Sequence, residues 1–505
     1  MSRMVRRPVR VLSLFGLGLL GLSAFVPGLG CGSEERVIDE GGCGEDCKQT
    51  CGKPLDPGIL GSYTSYAKGP DGKLWFAGFS DRVVNSEVEY LYGDLVVGPW
   101  NEVSQSVEWT TVDGIPKRSS GCPNSNRQGW RGGETLSGDT VGLWTSLQFD
   151  ANKRPMVSYY DATNHTLKIA INDGTWKIHN VVEPVPGRDA GRYAKLVLVG
   201  QVPVIAFAKS EVGKSGFVRS SVTLAKALNG APRSAADWTL EDIYVNEEGE
   251  CTAFACTAGS ACIPSTGKCE KKATCTPGCN QGDECVTIDG KPKCEKFLDQ
   301  DVLPYPKEVG NYVSVASGPN GLGIVAYDRI HGNLLGLSNS KGSWASLVID
   351  GETGTVDTGD VGAAASLAID AIGDWHVSYA NRKAATLHYA FIQKGELVTK
   401  RTRVDDGLSL AGIAFTDGKH LVGADSVIRV DPNNIPEILY QDASAGKLRR
   451  ARLSADKWTQ TAIEQPGRFA GFFPLFSEAY AFNFWRSSNG ATQTMSGNVS
   501  RVYLE

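Results

Sequence analysis

The chain has 505 residues, of which 41% are hydrophobic and 21% charged, with a formal net charge of −5. Its 59 glycines and 23 prolines fall short of a low-complexity composition, which excludes collagen, coiled coil and wholesale disorder. Six histidines leave little material for a histidine-based metal centre, and the length fits either a few ordinary domains or one large repeat architecture.

Residues 1–30 read as a targeting segment. Arg3, Arg6, Arg7 and Arg10 precede an uncharged apolar run from Val11 to Val26, then Pro27-Gly28-Leu29-Gly30-Cys31. A basic start, an apolar middle and a small residue before the cut predict a secretory signal. The run is shorter than the ~20 apolar residues a membrane-spanning helix needs. Leu29-Gly30-Cys31 resembles a bacterial lipoprotein signal, although Gly28 stands where that motif usually carries leucine. The resemblance implies lipidation of Cys31, residues 31–60 as a tether, and attachment to the cell envelope through an N-terminal lipid, with the outer membrane as the expected location. Cutting before Cys31 removes four arginines and no acids, moving the net charge from −5 to −9. So acidic a chain is a poor partner for nucleic acid.

Without Cys31, 12 cysteines remain, an even number that suits disulfides in an oxidising compartment. Four of them are Cys43, Cys47, Cys51 and Cys122, and the other eight crowd into residues 247–309. Cys251, Cys256, Cys262 and Cys269 are echoed by Cys275, Cys279, Cys285 and Cys294, which predicts two tandem modules stapled by disulfides. The pairing within each module stays open at this point. Zinc is the rival, but the segment holds no CxxC and no histidine.

The rest of the chain repeats. From Gly142 the order is Ser146-Leu147 to Asp150, Pro155 to Tyr160-Asp161, Leu167 to Ala170, and Trp176. Similar units start at Gly310, Gly362 and Gly423, and weaker ones at Gly61, Gly191 and Gly467. Each has four short β-rich runs in about 45 residues, the period of a β-propeller blade. The expected fold is therefore all-β, a propeller of seven four-stranded blades, with six or eight as the alternatives because the first and last copies are degenerate. Residues 61–246 carry blades 1–3, residues 310–505 carry blades 4–7, and the Cys-rich module is inserted between them. The repeats resemble those of exported bacterial β-propeller proteins, a likeness that speaks to fold and hardly to function. Trp109, Trp176, Trp238, Trp344 and Trp458, near the start of each fourth strand, read as packing residues that cover the outer blade edge. A closing hairpin at Val499 to Leu504 is expected to pair near Tyr63 and seal the ring.

In a propeller the connections between second and third strands, and from one blade to the next, share one face, called the top here. Residues 81–90, 114–141, 209–220, 247–309, 351–361 and 407–422 all fall on it, and only 228–237 bulge from the other side. Long connections on a rigid scaffold are where binding concentrates. The candidate ligand-binding residues are Tyr160, Asp161, Tyr327, Asp328, Tyr440 and Asp442, because aromatic faces beside carboxylates suit sugars, cations or peptides. Their recurrence also fits a turn-stabilising role. Asp350, Glu352, Asp357 and Asp360 share one loop but lack EF-hand spacing, so no cofactor is expected and structural calcium is unsupported. There is no HExxH, no GxSxG elbow and no P-loop. Asn172-Asp173-Gly174-Thr175-Trp176 resembles the Asp-box of sialidases but lacks one residue. The first reading is an envelope- or surface-anchored lipoprotein whose top face and Cys-rich module bind a glycan or protein without catalysis. The alternative is a glycosidase or lyase on the same scaffold, favoured if two close carboxylates and an arginine line the channel mouth.

Overall fold

The computed structural model describes residues 58–84, 89–116, 130–134, 137–298, 307–353, 355–408, 419–472, 478–489 and 492–504, all within the compact unit Cys43–Glu505. They form a seven-bladed propeller whose blades begin at the seven expected glycines. Blade 1 comprises Leu60–Lys68, Leu74–Val84, Glu89–Asn101 and Thr110–Asp113. Blade 2 comprises Val141–Phe149, Pro155–Asp161, Thr166–Asn172 and Trp176–Asn180. Blade 3 is built from Arg188–Val199, Val202–Val212, Val218–Ala227 and Trp238–Gly249. Val309–Gly318, Gly321–Asp328, Asn333–Ser338 and Ala345–Asp350 make blade 4. Blade 5 has Val361–Ile369, Trp375–Asn381, Thr386–Gln393 and Leu397–Asp405. Blade 6 has Val422–Val430, Pro436–Asp442, Lys447–Ser454 and Lys457–Pro466. Among the described residues blade 7 contributes Arg468–Phe472, Glu478–Asn489 and Thr492–Tyr503.

The first strand of every blade touches the first strands of both neighbours, so these seven strands form the inner ring. Each opens on a glycine because the backbone demands one. Gly142 has φ +99, and a Cβ there would come within 2.8 Å of Leu95 Cα in the preceding blade. Gly191, with φ +118, would likewise meet Leu167 Cα at 2.8 Å. Two residues on from each, the backbone is left-handed, at Tyr63, Trp144, Tyr193, Tyr312, Ala364, Asp425 and Phe469, and the pairing with the second strand shifts register there. This repeated bulge re-aims the side chain at that position.

Seven apolar clusters occupy the seven blade interfaces. The middle strands are buried on both faces, which is why Pro155–Asp161 and Pro436–Asp442 read as continuous buried runs without alternation. Two polar devices recur between blades. Ser146 Oγ accepts the Leu196 N–H at 2.9 Å, Ser314 the Leu367 N–H at 3.1 Å and Ser366 the Ile428 N–H at 3.2 Å, each from a first strand to the next blade's first strand. Tyr159, Tyr379 and Tyr440 donate to Asp113, Asp350 and Asp405 at 2.8, 2.7 and 2.6 Å, each clasping the end of the preceding blade.

Ring closure differs from the expectation. The last strand pairs with Glu478–Asn489 and meets the start of the propeller through a parallel bridge, Ile59 to Gly497. Trp109 Nε1 donates to Asn498 Oδ1 at 2.9 Å, and Phe76 packs edge-on against Tyr480 at 5.2 Å. The strand bearing Tyr63 is already paired along its length with Leu74–Val84, so the last strand joins blade 1 at Ile59 and, through an antiparallel pairing of Met495 with Val84, at the end of the second strand. The tryptophans do pack, but inside the blade interfaces: Trp238 and Trp458 are buried in them. Two of the expected top loops are extended hairpins, with strands reaching Val84 and Glu89 in blade 1 and Val212 and Val218 in blade 3.

Candidate functional site: the channel mouth and its disulfide module

The re-aimed residues meet around the propeller axis. Phe469 and Tyr63 have ring centroids 4.8 Å apart, Tyr63 and Trp144 5.5 Å, Trp144 and Tyr193 4.7 Å, and Tyr193 and Tyr312 4.9 Å. Five blades in succession thus supply one continuous aromatic belt at the top end of the inner strands. Ala364 and Asp425 occupy the same position in blades 5 and 6, leaving a gap with a carboxylate in it. Burial raises the pKa of Asp425, opposed by nearby Arg468 and the Phe469 N–H. Tyr63, Trp144, Tyr312 and Phe469 stay partly exposed.

Beside the belt, blades 2, 3 and 4 assemble a charged cluster. Arg192 binds Asp189 at 3.0 Å through Nε and Glu308 through its terminal nitrogen. Tyr160 donates to Asp189 at 2.9 Å and lies 3.1 Å from His165 Nδ1. Burial pushes Glu308 up to about 7 despite the attraction of Arg192. Burial also pushes Asp189 upward, but Arg192, His165 and Tyr160 outweigh it and hold the group below the carboxylate range. One guanidinium between two carboxylates thus leaves one ionised and the other near its titration point, a split that acid–base chemistry exploits.

The disulfide module covers this cluster. All eight of its cysteines are paired, Cys251–Cys262 and Cys256–Cys269 in the first copy, Cys275–Cys285 and Cys279–Cys294 in the second. First joins third and second joins fourth in both copies. The first copy docks on blade 3: Cys269 N–H donates to Gly216 O at 2.8 Å, Lys268 lies over the Phe217 ring at 4.5 Å, and Val218 packs against Cys251, Ala255 and Cys262. Phe254 reaches across to stack on His165 of blade 2, with centroids 3.5 Å apart. The second copy rests on the first through Val286 against Ala261 and Ile263. The insertion and the connections of blades 2 and 3 therefore do share one face.

The six predicted ligand residues have other duties. Asp161 accepts the Asn164 N–H at 2.9 Å, Asp328 the Ile330 N–H at 3.0 Å, and Asp442 the Ala445 N–H at 2.9 Å; all three are buried turn holders. Tyr327 donates to Asp360 of the next blade, as Tyr160 does to Asp189. Tyr440 sits one register position away from those two, equivalent to Tyr159, and is wholly buried. Of the six, Tyr160 alone joins the charged cluster. The acids 350, 352, 357 and 360 do not converge: Asp350 takes Tyr379 and Thr358 Oγ1, Asp357 takes the Gly359 N–H, and Glu352 and Asp357 face each other in a short hairpin. Cys31, Cys43, Cys47, Cys51 and Cys122 lie outside the described residues. The signal that would have found the belt was present, an aromatic two residues after five of the seven opening glycines. Glu308 carried no local signal, because only the closed ring brings it to Arg192.

No family model matches the chain, and no curated protein matches it. Among solved structures it is similar to the NanB sialidase of Streptococcus pneumoniae, at 10% identity over 88% of this chain and 92% of that one, with a TM-score of 0.36. It is similar to a leech intramolecular trans-sialidase at 10% identity, 89% and 92% coverage and a TM-score of 0.35. An α-L-arabinofuranosidase of Lactobacillus brevis matches at 10% identity, 63% and 89% coverage and 0.28. Likeness at this level assigns neither site nor substrate.

Proposed function

We propose that the protein is exported, anchored in the cell envelope through a lipid on Cys31, and binds carbohydrate at the belted mouth of its propeller. The observation that carries this reading is the aromatic arc from Phe469 to Tyr312. Sugars present flat apolar C–H faces rimmed by hydroxyls, and partly exposed rings beside a carboxylate such as Asp425 offer both surfaces at once. The disulfide module forms one wall of the mouth and extends the binding face. An array of glycans and peptidoglycan fragments probed with the mature chain tests the reading. Selective binding is expected, and a chain that binds no glycan would sink it.

A second reading, catalysis on the same carbohydrate, is favoured by one observation: Asp189 and Glu308 share Arg192 while their ionisation is pushed in opposite directions. Paired carboxylates of unlike pKa are what glycoside hydrolysis needs. For Glu308 to serve, Phe254 must lift from His165 and Arg192 must turn aside, since Glu308 is 1% exposed. Incubating array hits with the wild type and with Glu308→Gln separates the readings. Turnover that the variant loses supports catalysis, and an intact ligand with wild type supports binding alone.

A further inference from the structure

Lys195 breaks the pattern of the inner ring. It stands four residues after the opening glycine of blade 3, the position held by Ser65, Ser146, Ser314 and Ser366 in blades 1, 2, 4 and 5. In three of those blades the serine pins the neighbouring first strand through a backbone N–H. A lysine has no acceptor and forgoes that bond. Lys195 is nevertheless exposed in the middle of an otherwise buried stretch of strand. The strand is flanked by the first strands of blades 2 and 4 and covered on its outer side by Val202–Val212. The open side is the axis, so the ammonium lies in the central channel, two residues beyond Tyr193 of the belt.

From this placement we infer that the ligand is a sugar bearing a carboxylate, and that Lys195 receives that carboxylate below the aromatic belt; the inference rests on the carbohydrate reading above. Lys195 forms no ion pair among the described residues. Desolvation by the surrounding walls depresses its pKa, with no neighbouring charge offsetting it. An anion placed there gains an attraction that no group among the described residues already takes up. Asp425, the carboxylate of the belt, belongs to blade 6, across the seven-membered ring from blade 3, with Arg468 beside it. Asp189 and Glu308 on the near side are both engaged by Arg192. Among the described residues the mouth is thus electrostatically polar, with the unpaired Lys195 at blade 3, and it orients a ligand that carries charge at one end and apolar ring faces along its length.

The test is an array in which oligogalacturonate, hyaluronan oligosaccharides and sialyllactose are each printed beside the carboxyl-reduced counterpart. The full mature chain is compared with Lys195→Gln and Lys195→Arg. The acidic member of a bound pair is expected to bind at least about tenfold more tightly than its neutral counterpart. Lys195→Gln is expected to abolish that preference and Lys195→Arg to keep it. Equal binding of acidic and neutral members, or a preference that survives Lys195→Gln, overturns the inference and leaves the carbohydrate reading standing. No binding of either member overturns both.

Discussion

Phe254 lies flat on His165, centroids 3.5 Å apart and planes 18° from parallel, and this stack joins the disulfide module to a blade it does not grow from. Other contacts of the module run to blade 3 and its flanking connections. Phe254→Ala is therefore expected to cost about 1 kcal/mol locally and to leave the ring folded. Hydrogen exchange should speed up at residues 251–273 while the inner strands keep their protection. Unchanged exchange there would show that the stack does not hold the module down.

Arg192 compensates two buried carboxylates at once. Replacing it by methionine preserves length, strands Glu308 without a cation and leaves Asp189 only Tyr160 and His165, at a cost of about 3–5 kcal/mol near pH 8. Near pH 5 Glu308 is protonated and the cost should shrink. Adding Glu308→Gln to Arg192→Met should recover part of the loss at pH 8. Urea midpoints of the three variants at the two pH values check this.

Glu308 also makes stability depend on pH in the direction opposite to an ordinary surface acid. Its folded pKa is raised to about 7, against about 4.3 unfolded. The folded state keeps a proton that the unfolded chain releases, so this contribution is full below the unfolded value and is lost as pH rises through 7. Asp94, raised to about 6 by burial against the pull of Arg131, acts in the same direction. Asp242 is held at about 2: burial would raise it, but Lys209, Thr223 and Arg219 outweigh that. Its contribution disappears as pH falls through 2. Stability should therefore peak at mildly acid pH. Glu308→Gln should remove on the order of 3 kcal/mol of the decline between pH 4.5 and 7; a wild-type profile that rises over that interval contradicts the assignment.

The serine pins should act independently. Ser146→Ala, Ser314→Ala and Ser366→Ala each remove the acceptor of a backbone N–H between different blades. Each should cost about 1 kcal/mol, and the triple variant about the sum. Lys195→Ser places a hydroxyl where the pattern has one and should raise the thermal midpoint. A lower midpoint would mean that the lysine stabilises the ring.

The blade starts were legible because a local necessity writes them: at positive φ and so near the preceding blade that a Cβ would come within 2.8 Å of it, the chain needs glycine, as at Gly142 and Gly191. The two-copy disulfide module was legible for the same reason, since cysteine spacing is a short-range signal. Register was harder. Tyr440 looked equivalent to Tyr160 and Tyr327 because each is followed within two residues by an aspartate, yet pairing places it one position earlier, deep between blades. The belt, the Asp189–Arg192–Glu308 cluster and the Phe254 stack join residues from separate blades or from the insertion. A single repeat shows the aromatic two residues after its opening glycine, but the contacts themselves form only when the ring closes. Ring closure is not legible in the repeat because it depends on Ile59, Val84, Phe76 and Tyr480, which lie outside the repeat consensus.

The most direct test of carbohydrate recognition at the belted mouth is titration of the best array ligand into the wild type, Trp144→Ala and Tyr312→Ala, with circular dichroism as a check on folding. Stacking on a ring is worth about 1–1.5 kcal/mol or more when the ring is central. Each variant should therefore weaken binding about tenfold, without changing the spectrum. Folded variants that bind as tightly as the wild type would contradict the account.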